Sequence, residues 1–126
     1  MADEQILVVE DNEKNMKLFR DVLQARGYRV LEATTAERAV ELATEHVPDL
    51  VLMDIQLPDI NGVEALGRLR ADEHTASIPV LALTAQAMEG DRERFLAAGF
   101  DGYLSKPVNI VALLDTVKQH CDRRGR

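Results

Sequence analysis

The sequence predicts an α/β domain in which five parallel strands form a doubly wound sheet with helices on both faces, a (βα)5 arrangement. The first observation is alternation, because short apolar runs and segments with helically spaced apolar residues follow each other five times. The second is the uninterrupted apolar run Leu-Val-Leu-Met at residues 50–53, which is typical of a strand buried on both faces of a parallel sheet. Right-handed crossovers between such strands place helices over both faces.

The first strand is predicted at residues 6–9, and two acids, Glu10 and Asp11, follow it directly. A helix is expected over residues 13–26, with Gly27 as its C-terminal stop. The apolar residues that recur at helical spacing in it are Met16, Phe19, Val22 and Leu23.

The second unit begins with a poorer strand over residues 28–33, because Arg29 and Glu32 interrupt its apolar pattern, as expected nearer a sheet edge. Thr34 followed by Glu37 matches a capping box, which predicts the start of the second helix. The apolar stripe of that helix comprises Ala36, Ala39, Val40 and Ala43.

The third strand is the buried run, and it ends in Asp54. A third helix is expected after Asn61 and Gly62, with one apolar face formed by Val63, Leu66 and Leu69. A fourth strand is predicted at residues 78–83, where Pro79 is tolerable because it stands at the start.

The fourth helix, expected over roughly residues 89–98, has Gly90 inside its first turn and few large apolar residues, so we expect it to be marginal and mobile. Tyr103 and Leu104 form a short fifth strand that runs into Ser105-Lys106-Pro107. The last helix has an apolar stripe formed by Ile110, Leu113, Leu114 and Val117.

Size and composition indicate one globular domain. The 126 residues fit a single domain over residues 1–126, with a core at about residues 5–120 and a frayed basic tail at residues 121–126. Hydrophobic residues make up 46% of the chain and charged residues 29%, which argues against disorder. The formal net charge of -7 repels phosphate backbones, so we expect no direct nucleic-acid binding.

The compartment is predicted from three features. The single cysteine, Cys121, cannot form an internal disulfide, which fits a reducing environment. The N-terminus is acidic and lacks the regions of a signal peptide, and no apolar run is long enough to span a bilayer. We therefore expect a cytoplasmic protein without membrane insertion.

Chemistry-bearing residues end four of the five predicted strands. Functional crevices of open α/β sheets lie outside the carboxyl ends of the strands, and those ends carry Glu10 with Asp11, then Asp54, Thr84 and Lys106. Three carboxylates so close together need a cation, and oxygen ligands favour a hard ion such as Mg²⁺. This combination suits phosphoryl chemistry, with Asp54 as nucleophile and Lys106 and Thr84 stabilising phosphoryl oxygens.

A series of separated motifs, in order along the chain, resembles the signature of the response-regulator receiver domain, the CheY-like family. The resemblance covers about residues 5–120. The residues that carry it are Glu10-Asp11, Met53-Asp54, Pro58 with Gly62, Leu83-Thr84-Ala85, Ala98-Gly99-Phe100-Asp101-Gly102-Tyr103 and Lys106-Pro107.

The resemblance implies a role for each site residue. Asp54 would be the phosphoacceptor, and Mg²⁺ would be held by Glu10 and Asp11, one of them through water, by Asp54 and by the backbone carbonyl of Gln56. Lys106 would pair with the phosphoryl group.

Two further residues would act as the switch. Thr84 would rotate to hydrogen-bond the phosphoryl group, and Tyr103 would move between outward and inward positions. The family also implies a cis Lys106-Pro107 bond and the strand order 2-1-3-4-5.

The resemblance predicts a phosphorylation switch in a two-component phosphorelay. The stretch at residues 83–92 is similar to receivers of hybrid sensor kinases and of stand-alone, DivK-like cell-cycle regulators. A sensor histidine kinase or histidine phosphotransferase would supply the phosphoryl group. Because the chain stops after the fifth helix, we expect no output domain, and a monomer or weak dimer would contact its target through helix four, strand five and helix five.

Three alternatives belong to other classes. A phosphohydrolase of the haloacid-dehalogenase type needs a second Asp two residues after the nucleophile, where this chain has Gln56, so only slow self-dephosphorylation is expected. A flavodoxin-like cofactor binder needs Gly, Ser or Thr after the first strand, where this chain has acids. A non-phosphorylated scaffold of receiver fold remains the main alternative.

The remaining conspicuous side chains favour ordinary structural roles. The histidines, His46, His74 and His120, lack metal-ligand spacing and are expected at the surface. Met16 and Met53 are expected in the core.

Overall fold

The structure is a computed structural model and describes residues 4–85 and 90–122. The strands are β1 (Gln5–Val9), β2 (Arg29–Ala33), β3 (Leu50–Asp54), β4 (Val80–Thr84) and β5 (Gly102–Ser105). The helices are α1 (Glu13–Ala25), α2 (Ala36–His46), α3 (Gly62–Ala71), α4 (Asp91–Ala98) and α5 (Ile110–Asp122). All strand pairs are parallel, in the order β2-β1-β3-β4-β5, which confirms the predicted fold and order.

The sheet separates two apolar layers. Alternate residues of the central strands face opposite sides, so Leu7 and Val51 lie in one layer while Ile6 and Leu50 lie in the other. The first layer contains buried residues of α2, α3 and α4, and the second contains buried residues of α1 and α5. Every residue of β3 and β4 is buried, as expected for strands covered on both faces, whereas the edge strands β2 and β5 are partly exposed.

The start of α2 differs from the predicted capping box. Thr35, not Thr34, is the N-cap, and its hydroxyl accepts a hydrogen bond from the Arg38 amide at 3.2 Å. Asp59, from the β3–α3 connection, accepts from the amides of Ala36 and Glu37 at 2.9 and 3.0 Å. The first amides of α2 are therefore capped both by the local Thr35 and by a side chain distant in sequence.

Two residues predicted to face the core are exposed. Val63 is 41% exposed because the buried row of α3 starts one residue earlier and comprises Gly62, Ala65, Leu66 and Leu69. Ile110 is 42% exposed because it is the first residue of α5, beyond the stretch that covers the sheet, whereas Leu113 and Val117 are buried.

The surface prediction for His120 is wrong, although His46 and His74 are exposed as expected. His120 is 8% exposed, because it lies on the same face of α5 as the buried residues Val117 and Cys121. Its Nδ1 donates to the Thr116 carbonyl at 2.9 Å, since a carbonyl oxygen can only accept.

The helix α4 is shorter than predicted. It begins at Asp91, and Gly90 is its N-cap with φ of 90° rather than a residue of the first turn. Of the predicted tail at residues 121–126, Cys121 and Asp122 belong to α5, and Cys121 is buried. Residue 89 and residues 123–126 lie outside the described residues. Among the described side chains of α4, Phe95 is buried, and its ring lies 5.9 Å from that of Phe100 and 5.7 Å from that of Tyr103.

Arg70, at the end of α3, holds the C-terminal end of α4. Its guanidinium donates to the carbonyls of Ala76, Ile78 and Gly99 and to a carboxylate oxygen of Asp101. The same Asp101 oxygen accepts from the Val80 amide at 2.8 Å, so one network joins α3, α4 and the start of β4.

The remaining boundaries differ by one or two residues, as is usual at element ends. Over the described residues, no helix combines the length and the apolar character that crossing a bilayer requires. The Lys106-Pro107 bond is cis, as predicted.

The close approach of α3 to β3 generates a stability prediction. A Cβ at Gly62 would lie 2.6 Å from the carbonyl oxygen of Asp54 and 3.0 Å from Cα of Ile55, and both are backbone atoms that cannot easily give way. We therefore expect Gly62→Ala to lower the free energy of unfolding by about 1–3 kcal/mol, as overpacking usually does.

The matched control is Gly67→Ala in the same helix, where a Cβ would meet nothing within 4 Å. This substitution should instead stabilise the protein by about 0.5–1 kcal/mol through helix propensity. Urea denaturation measures both, and equal effects of the two substitutions would contradict the steric argument.

Candidate functional site

The three predicted acids meet at the carboxyl edge of the sheet. Glu10 follows β1 and Asp54 ends β3, its neighbour, and both side chains are buried, with Glu10 only 1% exposed. Asp11 is exposed at the mouth of the site. One carboxylate oxygen from each of the three residues lies within 4.8 Å of the others.

Lys106 pairs with both buried carboxylates. Its Nζ lies 2.7 Å from Oδ2 of Asp54 and 2.7 Å from Oε1 of Glu10. The residue follows β5, and its backbone amide donates to the Thr84 carbonyl at 2.7 Å. The ammonium group therefore reaches past the end of β4 to contact residues of β3 and the end of β1.

Backbone hydrogen bonds fix the remaining groups around Asp54. Its Oδ1 accepts from the Gln56 amide at 2.9 Å, and the Ile55 amide donates to the Leu83 carbonyl at 3.0 Å. Oε2 of Glu10 accepts from the Asn12 amide at 3.2 Å. Asn12 is also the N-cap of α1, so the start of that helix and the position of Glu10 are linked.

The two predicted switch residues lie on neighbouring strands. Thr84 is buried at the end of β4, one residue beyond Leu83, which is the register partner of Asp54. Tyr103 lies in β5, partly buried, where its ring packs against Phe95 of α4. Thr84 thus ends its strand at the same edge of the sheet as Asp54, whereas Tyr103 lies three residues before Lys106 in the chain, on the side of α4.

Burial and pairing shift two pKa values in the site. Burial raises the pKa of Glu10 above its usual range, and the neighbouring Asp54 carboxylate adds to this, while the bond to Lys106 opposes it. For Lys106 burial acts to lower the pKa, but bonds to Asp54 and Glu10 outweigh it and raise the pKa. The ammonium group is therefore held in its charged form.

The donor set fits a hard divalent cation. The three clustered carboxylates offer only oxygen ligands, and the buried ones face an exposed third at the mouth. Against three negative charges, Lys106 supplies one positive charge, so a divalent ion would bring the local sum to zero.

Comparison with known proteins identifies the family. Residues 6–118 match the family described as the response regulator receiver domain. The polar-differentiation response regulator DivK of Brucella ovis is 47% identical over 115 residues, which cover 91% of this chain and 94% of that protein. The chain belongs to the response-regulator receiver family. As a receiver, it is a signalling switch that serves as a phosphoacceptor in two-component systems.

Solved structures of other receivers share its fold. The receiver domain of a sensor histidine kinase from Pseudomonas aeruginosa, with a magnesium ion coordinated in its active-site cleft, is 37% identical with a TM-score of 0.88 and covers 96% of this chain and 99% of its own. A putative response regulator from Chloroflexus aurantiacus is 30% identical with a TM-score of 0.90 and the same coverage of both chains, 96% and 99%. A CheY-like receiver from Methanospirillum hungatei is 30% identical with a TM-score of 0.87, covering 97% of this chain and 96% of its own.

Sequence reasoning missed Asp59 in this receiver. The residue lies five positions after Asp54, and its contacts are with α2, 22 and 23 residues earlier in the chain. A lone Asp after Pro58 in a connection reads as a turn residue, and local spacing carries no information about a distant helix terminus.

The raised pKa of Glu10 generates a pH prediction for the metal-free protein. A carboxyl whose pKa is higher in the folded state stabilises the fold below its unfolded pKa, about 4.3 for Glu, and that contribution is lost as the pH rises through the folded value. We therefore expect Glu10→Gln, measured by urea denaturation in the presence of EDTA, to be more stable than the wild type at pH 7 by about 0.5–2 kcal/mol, a range common for stabilising substitutions.

The difference between Glu10→Gln and the wild type should shrink as the pH falls towards 4, because the wild-type carboxyl becomes protonated. Glu73→Gln, at an exposed position between α3 and β4, controls for the change in net charge. A gain in stability that does not depend on pH would contradict the electrostatic explanation.

Proposed function

We propose that Asp54 accepts a phosphoryl group from a phosphohistidine of a sensor kinase or histidine phosphotransferase, and that the modified receiver then signals through contacts with another protein. The observation that carries this proposal is the position of Lys106, whose Nζ lies 2.7 Å from both Asp54 and Glu10. A cation so placed favours the additional negative charge that a phosphoryl group brings to Asp54.

The transfer forms one bond and breaks one bond. A carboxylate oxygen of Asp54 attacks the phosphorus atom, and the bond from phosphorus to the donor imidazole nitrogen breaks, with its electron pair leaving on the imidazole. Lys106 then pairs with a phosphoryl oxygen, and the Thr84 hydroxyl donates to another. Lys106 already contacts the Asp54 carboxylate at 2.7 Å, so positioning its ammonium group costs little reorganisation.

Glu10, Asp11, Asp54 and the backbone carbonyl of Gln56 would hold Mg²⁺. When bound, the ion supplies positive charge next to the transferred group. The receiver of the Pseudomonas aeruginosa kinase has magnesium in its cleft, which supports the same choice of ion for the clustered carboxylates here. The exposed Asp11 is suited to the exchange of ligands at the mouth of the site.

The target would bind the face formed by α4, β5 and α5, and the protein would be a monomer or weak dimer. This face has a cleft of about 530 Å³, whose lining includes Leu96, Tyr103, Ser105, Thr116 and Gln119. Lys106 follows β5 directly, so a change at Asp54 reaches this face through a single strand. The 47% sequence identity to a polar-differentiation response regulator supports a role of the DivK type.

Turnover would be limited to self-phosphorylation from small phosphodonors and slow self-dephosphorylation. Gln56 stands where a phosphatase of the haloacid-dehalogenase type has its general acid, and an amide cannot protonate a leaving group.

The single cysteine supports a location in the cytoplasm.

Intact-protein mass spectrometry tests the proposal. After incubation with Mg²⁺ and acetyl phosphate, we expect one phosphoryl adduct that requires Mg²⁺ and is labile to hydroxylamine, as an acyl phosphate is. Asp54→Asn should lack the adduct, whereas Asp72→Asn, at a partly exposed aspartate after α3, should keep it. A wild type that binds Mg²⁺ but forms no adduct would favour the scaffold alternative.

Thermal unfolding tests the metal site separately. Mg²⁺ at about 100 times its dissociation constant should stabilise the wild type by about 2.7 kcal/mol through linkage. Asp11→Asn should lose most of this gain, and Asp21→Asn, at an exposed aspartate of α1 that pairs with Lys17, should retain it. Equal stabilisation of the two variants by Mg²⁺ would show that Asp11 is not a ligand of the metal site.

A further inference from the structure

The connection between β3 and α3 carries Gln56, whose carbonyl is the proposed backbone ligand for Mg²⁺. At its start, the Gln56 amide donates to Asp54 Oδ1 at 2.9 Å. At its end, the Gly62 amide donates to the Ile55 carbonyl at 2.8 Å, and Asn61 caps α3 by accepting from the Glu64 amide at 2.9 Å. The two ends of the connection are therefore held by β3 and α3.

Asp59 attaches the middle of this connection to a third element. Its two carboxylate oxygens accept from the amides of Ala36 and Glu37, the first two residues of α2, at 2.9 and 3.0 Å. Ala36 is fully buried, so the attachment point is itself fixed in the core. Charge-assisted bonds to a helix N-terminus are among the stronger surface interactions because the helix dipole adds to them.

Apolar contacts also hold the middle of the connection against the core. Leu57 and Ile60, which flank Asp59, are partly buried and pack against the core layer that contains Ala36 and Ala39 of α2. The exposed Gln56 lies between the anchored Asp54 and this packed segment. The orientation of its carbonyl therefore depends on where the middle of the connection is held.

We infer that Asp59 is a positioning residue for the metal site, acting through its bonds to the start of α2 on the connection that carries Gln56. This inference rests on the proposed Mg²⁺ site. Asp59 itself is not a ligand, and its removal leaves all three clustered carboxylates in place.

The structure offers a matched control in Thr35. Its hydroxyl caps the same helix terminus by accepting from the Arg38 amide at 3.2 Å. Among the residues that the structure describes, this hydroxyl makes no hydrogen bond to the β3–α3 connection. Asp59→Ala and Thr35→Ala should therefore both lower the Tm by a few degrees through loss of a cap. Only Asp59→Ala should change the position of the connection.

The experiment measures Mg²⁺ dissociation constants by isothermal titration calorimetry for the wild type, Asp59→Ala, Asp59→Asn and Thr35→Ala, together with their Tm values. We expect Asp59→Ala to raise the dissociation constant by about 3- to 10-fold, less than the roughly 10- to 100-fold typical of residues that bond a ligand directly. Asp59→Asn should be intermediate because it keeps one carbonyl acceptor, and Thr35→Ala should bind as the wild type does.

Amide hydrogen exchange in the absence of Mg²⁺ supplies a readout that does not depend on the ion. Asp59→Ala should speed exchange at the amides of the connection, which are those of residues 56, 57, 59 and 60 because Pro58 has none. Thr35→Ala should speed exchange only at the start of α2. Unchanged Mg²⁺ affinity in Asp59→Ala, or an equal loss of affinity in Thr35→Ala, would overturn the inference while leaving the proposed function intact. A wild type that does not bind Mg²⁺ would overturn the metal site and this inference together.

Discussion

The site depends on the ion pairs between Lys106 and two buried carboxylates. Glu10 and Asp54 are almost inaccessible to solvent, and burying two like charges without a cation would cost several kcal/mol. Lys106 meets this cost with one ammonium group that lies 2.7 Å from both. Because the lysine follows the edge strand β5 and the acids belong to the centre of the sheet, this balance requires the whole strand order from β1 to β5.

The same ion pairs connect the site to β5 and, through β5, to α4 on the other side of the sheet from α1. A negative group added to Asp54 competes with Glu10 for the ammonium group, and Lys106 is joined by its backbone to Thr84 and by the chain to β5. The Tyr103 ring of β5 packs against Phe95 of α4. These contacts form a continuous path from Asp54 to α4, along which the proposed phosphorylation of Asp54 would act as a local charge switch.

The attachments of α4 are unequal along its length. Near its C-terminal end, Arg70 donates to the Gly99 carbonyl and to Asp101, and Phe95 packs against Phe100. At its N-terminal end, the N-cap is Gly90, which has no side chain to accept from the first amides. The tertiary hydrogen bonds of Arg70 therefore hold the C-terminal end of α4.

The sequence was sufficient to predict the fold, because the strands and helices of this chain follow clear periods and four of the five strand ends carry a chemical signal. The placement of Glu10, Asp54 and Lys106 at one rim follows from parallel topology alone. His120 was predicted at the surface because it is polar. It is buried because it lies three residues after the buried Val117, on the same face of the helix. The N-cap of α2 lies one residue later than predicted, and the additional cap from Asp59 comes from 23 residues away, where no local pattern reaches.

The site has two parts that are positioned in different ways. The buried part, Glu10 and Asp54 with Lys106, is positioned by strand register and charge balance, which periodicity and residue type predict well. The β3–α3 connection is positioned by contacts from outside, since Gly62 lets α3 approach the Asp54 carbonyl and Asp59 binds the start of α2. A connection whose conformation depends on tertiary contacts cannot be predicted from its own residues. For the same reason it can be altered by substitutions that leave the charged centre of the site unchanged.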